Sequence, residues 1–86
     1  MVENHDTPIV ARSAVDLGQA VRRERKRQRI SQADLSALAG LPNRSYLSAI
    51  EQGLATERVE RLFRVLDALG LEIVVRGRNV RRGAGR

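Results

Sequence analysis

The sequence predicts an all-α domain of four short helices followed by a single C-terminal strand, and three observations predict it. Four segments open on a side chain able to accept from the first amides of a helix: Ser13, Ser31, Asn43 and Thr56. Behind each opening, apolar residues recur at spacings of three and four. After Gly70 the pattern changes to Leu71-Glu72-Ile73-Val74-Val75-Arg76, whose three consecutive β-branched residues favour a strand over a fifth helix.

Residues 1–12 are mostly polar, contain Pro8, and read as a flexible arm in which Ile9–Val10 is a weak candidate for a short strand. Ser13 and Asp16 have the S-x-x-D spacing of a capping box and open a helix from about Ala14 to Gln28, with Leu17 and Val21 on its buried side. Ser31 and Asp34 repeat that box, and Ile30 with Leu35 has the spacing of a hydrophobic staple. Leu35, Leu38 and Ala39 form one apolar face up to Gly40, a helix stop. Pro42 disfavours helix at Leu41, so Asn43 caps a separate helix with Leu47 and Ile50 on its apolar side. Thr56 caps a fourth helix, from about Glu57 to Leu69, striped by Val59, Leu62, Phe63, Leu66 and Leu69. Gly70 then sits where a Schellman stop needs it, and Leu71 can supply its hydrophobic contact.

The chain therefore divides into an arm (1–12), a helical domain (13–70), a strand (71–76) and a basic Arg/Gly-rich tail (77–86) that cannot pack. A lone strand leaves its backbone donors and acceptors unpaired. No other strong strand is present, so the simplest partner is the same strand of a second copy. That implies a two-fold dimer joined by an antiparallel ribbon, with Leu71, Ile73, Val74 and Val75 as its dimerisation residues.

Eighty-six residues suffice for one small domain with a thin core. The formal charge of +6 favours a polyanionic partner, although every basic residue but Lys26 is arginine, as a compositional bias would also produce. Without cysteine there is no disulfide and no thiolate metal site, which suits a reducing cytoplasm. No apolar run approaches the ~18 residues of a membrane span, and Glu3, His5 and Asp6 at the start do not resemble a signal peptide. His5 is the only histidine, and no nucleophile–base pair, metal-ligand cluster or phosphate-cradling loop accompanies it. An enzyme, a metal and a cofactor are all unexpected.

The stretch SQADLSALAGLPNRSYLSAIEQG, Ser31 to Gly53, is the most informative. It reads as two short helices joined by a tight turn, the second with an apolar back and a polar front, suited to entering a DNA major groove. It resembles the helix-turn-helix of the Cro/C1-type (XRE) repressors, which run SQ-x-x-LA-x-x-x-G, a recognition helix, then IS-x-x-E-x-G. Ser31, Gln32, Leu35 and Gly40 match the first part, and Leu47, Ser48, Glu51 and Gly53 the last; Leu17, Gly18, Val21, Arg22, Arg25 and Lys26 resemble the family's first helix. Ser36 replaces a usual alanine, Arg29 replaces a usual glycine, and the turn after Gly40 is one residue longer than the common form. The resemblance implies a four-helix lambda-repressor-like fold and sequence-specific binding to double-stranded DNA.

Gln32 opens the first motif helix, where free amides and the helix dipole favour a phosphate, and its family counterpart clamps the DNA backbone. Asn43, Arg44 and Ser45 begin the recognition helix. Arg44 is placed either to pair with guanine or to hold a phosphate. Ser48 is suited to phosphate or base, and Ala49 to a thymine methyl. Tyr46 divides between helix packing and a phosphate hydrogen bond. Arg25 and Glu51 resemble the pair that ties the family's first helix to the end of its recognition helix. Four helices followed by a strand is the layout of HipB-type antitoxins, and Thr56, Leu62, Phe63, Leu66 and Leu69 extend the likeness. That resemblance implies a repressor of its own operon that neutralises a HipA-like kinase toxin; a phage-type or metabolic repressor without a toxin is the alternative.

Overall fold

All four expected caps are N-caps in the computed structural model, which describes residues 7–78. The order is β1 (Ile9–Ala11), α1 (Ala14–Arg27), α2 (Gln32–Leu38), α3 (Arg44–Glu51), α4 (Glu57–Ala68) and β2 (Ile73–Val75). Ser13 Oγ accepts from the Asp16 amide at 3.1 Å, Ser31 Oγ from Asp34 at 2.9 Å, Asn43 Oδ1 from Ser45 at 3.0 Å and Thr56 Oγ1 from Val59 at 3.3 Å. Each bond satisfies a donor that the first helical turn leaves free. The return half of the first box is shifted by one residue: the Asp16 carboxylate accepts from the Arg12 amide at 2.8 Å. At the end of α4, Gly70 has φ 72°, its amide donates to Asp67 and the Leu71 amide to Leu66 at 2.8 Å. This is the expected Schellman stop.

The strand lies where expected, but its partner corrects the sequence reading. β2 pairs antiparallel with β1 of the same chain, in the register Ile9↔Val75, Val10↔Val74 and Ala11↔Ile73. Residues 9–11 thus leave the flexible arm. Three residues beside Pro8 give too weak a local signal to identify a strand; the helices make it one by bringing the two chain ends together. An exposed pair adds a fastening, with Arg12 donating through Nε and Nη2 to Glu72 Oε1 at 3.1 and 2.8 Å. Leu71 lies before β2 and is exposed, whereas Ile73 and Val75 are half-buried and Val74 faces outward beside Val10. The four residues expected at a dimer ribbon therefore do not share one face. His5, the first half of the arm and residues 79–86 of the basic tail lie outside the described residues.

Helix α1 is the central element: it packs on α3, carries the sheet on another side, and touches α4 lightly, while α2 packs on α3. Among the described residues Ala11, Ala20, Leu47 and Phe63 are the buried apolar ones, and no large side chain is fully enclosed. Helix α4 sinks Phe63 but leaves Leu62, Val65 and its C-cap Leu69 more than half exposed. Ser36, in place of the resembled family's alanine, is buried with its Oγ unpaired among the described residues. An unpaired buried hydroxyl of that kind costs about 1–3 kcal/mol. Arg29, in place of the family's glycine, takes φ 60° between α1 and α2, which costs a side-chain-bearing residue about 1–2 kcal/mol.

Candidate nucleic-acid interface

Helices α2 and α3 form the motif, and one carboxylate ties it to the rest of the molecule. Glu51, at the end of α3, is buried and accepts from Arg25 of α1 in a two-pronged pair, Nε to Oε2 at 2.6 Å and Nη2 to Oε1 at 3.1 Å. Arg25 Nη1 also donates to the Ile30 carbonyl at 2.9 Å, and Gln32 Nε2 to Glu51 Oε1 at 3.1 Å. Side chains of α1, α2 and α3 thus meet on a single group. The hydrogen bonds from Arg25 lower the Glu51 carboxyl below the ordinary range; burial opposes this, and Gln32 and the charges of Arg25 and Arg22 assist it. Arg25 is raised in turn, chiefly by its hydrogen bond to Glu51. A planar guanidinium facing a carboxylate fixes orientation as well as distance.

Two further contacts set the pose of α3. Leu47 is its buried apolar anchor. Gly18 on α1 lies so close that a Cβ there would come within 2.2 Å of the Ile50 carbonyl oxygen. Only a residue without a side chain permits that backbone approach. With its back held this way, α3 turns its N-terminal end outward.

Asn43, Arg44, Ser45 and Tyr46 are all exposed, and Ser48 and Ala49 are half-buried. Arg44 makes no hydrogen bond or ion pair among the described residues, so its guanidinium is free for an external acceptor. Asn43 and Ser45 are joined, since Asn43 Oδ1 accepts from both the amide and the hydroxyl of Ser45. Tyr46 is 54% exposed, which argues against the helix-packing role. Ser48 Oγ accepts from Gln52 Nε2 at 2.9 Å, which adds the exposed Gln52 to this edge. Gln52 lies one turn after Ser48, a spacing that puts the two on one face of the helix. The side chain of Gln32, expected at a phosphate, donates through Nε2 to Glu51. The front of α3 and the ties behind it are adjacent but separate: exposed Asn43, Arg44, Ser45 and Tyr46 with half-buried Ser48 and Ala49 and exposed Gln52 beside them, and a structural cluster of Arg25, Gln32 and Glu51.

Among the described residues no group of His, Asp and Glu could hold a metal ion, and no helix is long and apolar enough to cross a membrane. A family model described as helix-turn-helix matches residues 21–75, from within α1 to the end of β2 and more than half of the chain. No curated protein and no solved structure matches the chain.

Proposed function

Because the chain belongs to the Cro/C1-type helix-turn-helix family and is a DNA-binding regulator of transcription, we propose that it is a cytoplasmic, sequence-specific repressor acting as a homodimer on the operator of its own operon. The observation that carries this reading is the free front of α3, with Arg44 unpaired at its outer end, on a helix held behind by the buried Arg25–Glu51 pair. A helix anchored from behind, with exposed polar side chains at its N-terminal end, suits base readout in the major groove. Asn43, Arg44, Ser45, Tyr46, Ser48 and Ala49 form the reading surface, and Gln32 contributes through its position at the start of α2.

The homodimer is supported by the thin core and by exposed Leu62, Val65 and Leu69 on α4. β1 occupies only one edge of β2, so a second copy can pair along the other. The finer reading is an antitoxin of the HipB type with a HipA-like kinase toxin as second partner, and its support is the helix–strand layout alone. A phage-type or metabolic repressor without a toxin shares the same DNA chemistry; co-purification with the product of the adjacent gene separates the two.

The test is binding to a duplex from upstream of its own coding sequence, beside a scrambled duplex. Arg44→Ala is expected to cost about 1–3 kcal/mol on the former and to relax preference at one position per half-site. Equal binding of both duplexes by parent and variant would remove sequence reading from α3.

A further inference from the structure

All four helices end in the same hydrogen-bond pattern, and one of them uses a different residue to do it. The α2, α3 and α4 stops place Gly40, Gly53 and Gly70 in the left-handed region, at φ 73°, 81° and 72°. Each is followed by an amide that reaches back to the last turn: Leu41 to Ser36, Leu54 to Ala49 and Leu71 to Leu66. The α1 stop has the same bonds, Arg29 amide to Lys26 and Ile30 amide to Arg25, but the left-handed residue is Arg29 at φ 60°. Glycine adopts this conformation without the clash that a Cβ brings. The bonds that close the α1 stop are backbone bonds, which glycine would make equally well.

Among the described residues no side-chain hydrogen bond or ion pair compensates for the arginine. Its side chain is exposed and makes no hydrogen bond or ion pair among the described residues. It continues a row of exposed cations, Arg22 and Lys26, that also lack such partners. The carbonyl of Ile30, the next residue, accepts from Arg25 Nη1 at 2.9 Å, so Arg29 borders the Arg25–Glu51–Gln32 cluster. A strained, exposed cation at that border is available to an external anion, and in a DNA-binding protein the anion at hand is the phosphodiester backbone.

We propose that Arg29 is a DNA-phosphate contact outside the bases read by α3, placed by a helix stop that keeps arginine where the molecule elsewhere uses glycine. This rests on the DNA-binding reading above. A phosphate contact adds affinity without sequence preference, so its signature is salt dependence rather than specificity.

The experiment compares full-length parent, Arg29→Gly and Arg29→Lys on the upstream duplex and on its scrambled control across a salt series. Arg29→Gly should raise the melting temperature by about 4 °C, because the strain is removed. The same variant should bind both duplexes about three- to tenfold more weakly, with the slope of log K against log[salt] shallower by about 0.9 per chain. Arg29→Lys should keep the parental slope. A higher melting temperature with unchanged affinity and slope would overturn the proposal, as would a fall in melting temperature, which would make Arg29 a structural residue. If the parent bound neither duplex, the DNA-binding reading would fall together with it; loss on Arg44→Ala beside an unmoved Arg29→Gly would remove Arg29 alone.

Discussion

Glu51 carries the largest consequence of any single side chain. Its carboxyl is lowered by the Arg25 hydrogen bonds, with burial opposing and Gln32 assisting. A carboxyl lowered in the folded state binds fewer protons there than in the unfolded chain, so it contributes stability above the unfolded pKa of about 4.3. That contribution fades as pH falls below this value and is gone once pH has passed through the lowered folded value. Urea unfolding between pH 7 and pH 3 should therefore show a declining free energy, and Glu51→Gln should flatten the decline. Removing the charge from a buried pair leaves Arg25 unmatched, so the variant should lose about 3 kcal/mol at pH 7. Parallel acid limbs in parent and variant would exclude Glu51 as their source. The Arg25–Glu51 pair was legible in the sequence through the family's pattern. The Gln32–Glu51 hydrogen bond was not, because it depends on where α3 ends in space.

Elements are held by their ends and by one close approach. Each helix start follows from a cap a few residues away, and the Gly40 and Gly70 stops are equally local, whereas the α1 stop, at Arg29, has no glycine to mark it. The α1–α3 crossing is different. Gly18 allows the two backbones to meet, and an added Cβ would lie 2.2 Å from the Ile50 carbonyl oxygen and 2.9 Å from that of Glu51. Gly18→Ala gains about 1 kcal/mol of helix propensity, but the clash is with backbone that cannot rotate away, and such overpacking costs about 1–3 kcal/mol. The expected result is a lower melting temperature, retained helical circular dichroism in the cold, and weaker operator binding because α3 is displaced. A variant with parental melting temperature and parental DNA affinity would show that the two helices can separate without consequence.

At the scale of the whole molecule, charge and apolar surface are divided between faces. The second half of α1 is strongly basic, whereas α4 balances Glu57, Glu60 and Asp67 with Arg58, Arg61 and Arg64. A face that is neutral in sum and striped with Leu62, Val65 and Leu69 is compatible with its own copy, as a two-fold contact requires. If the proposed dimer uses it, the parent's melting temperature should rise with protein concentration. Val65→Asp should sediment as a monomer, melt lower, and bind the operator more weakly because its two half-sites are no longer linked. At an exposed position on a monomer the same substitution would change stability by no more than about 0.5 kcal/mol. A parent that sediments as a monomer would overturn the dimer.

The four helices, their caps, the Schellman stop at Gly70 and the helix-turn-helix pattern from Ser31 to Gly53 are all legible in the amino-acid order. Those features rest on hydrogen bonds and side-chain spacings within a few residues, and such interactions are written into the local chain. Tertiary structure decided the partner of β2, the Gln32–Glu51 hydrogen bond, and which apolar residues of α4 remain uncovered. Ile9–Ala11 becomes a strand only because folding brings it beside residues more than sixty positions away. Leu62 and Phe63 are adjacent and equally apolar, yet only Phe63 meets the core. Pairing and burial depend on distances set by the packed helices, which no local pattern specifies.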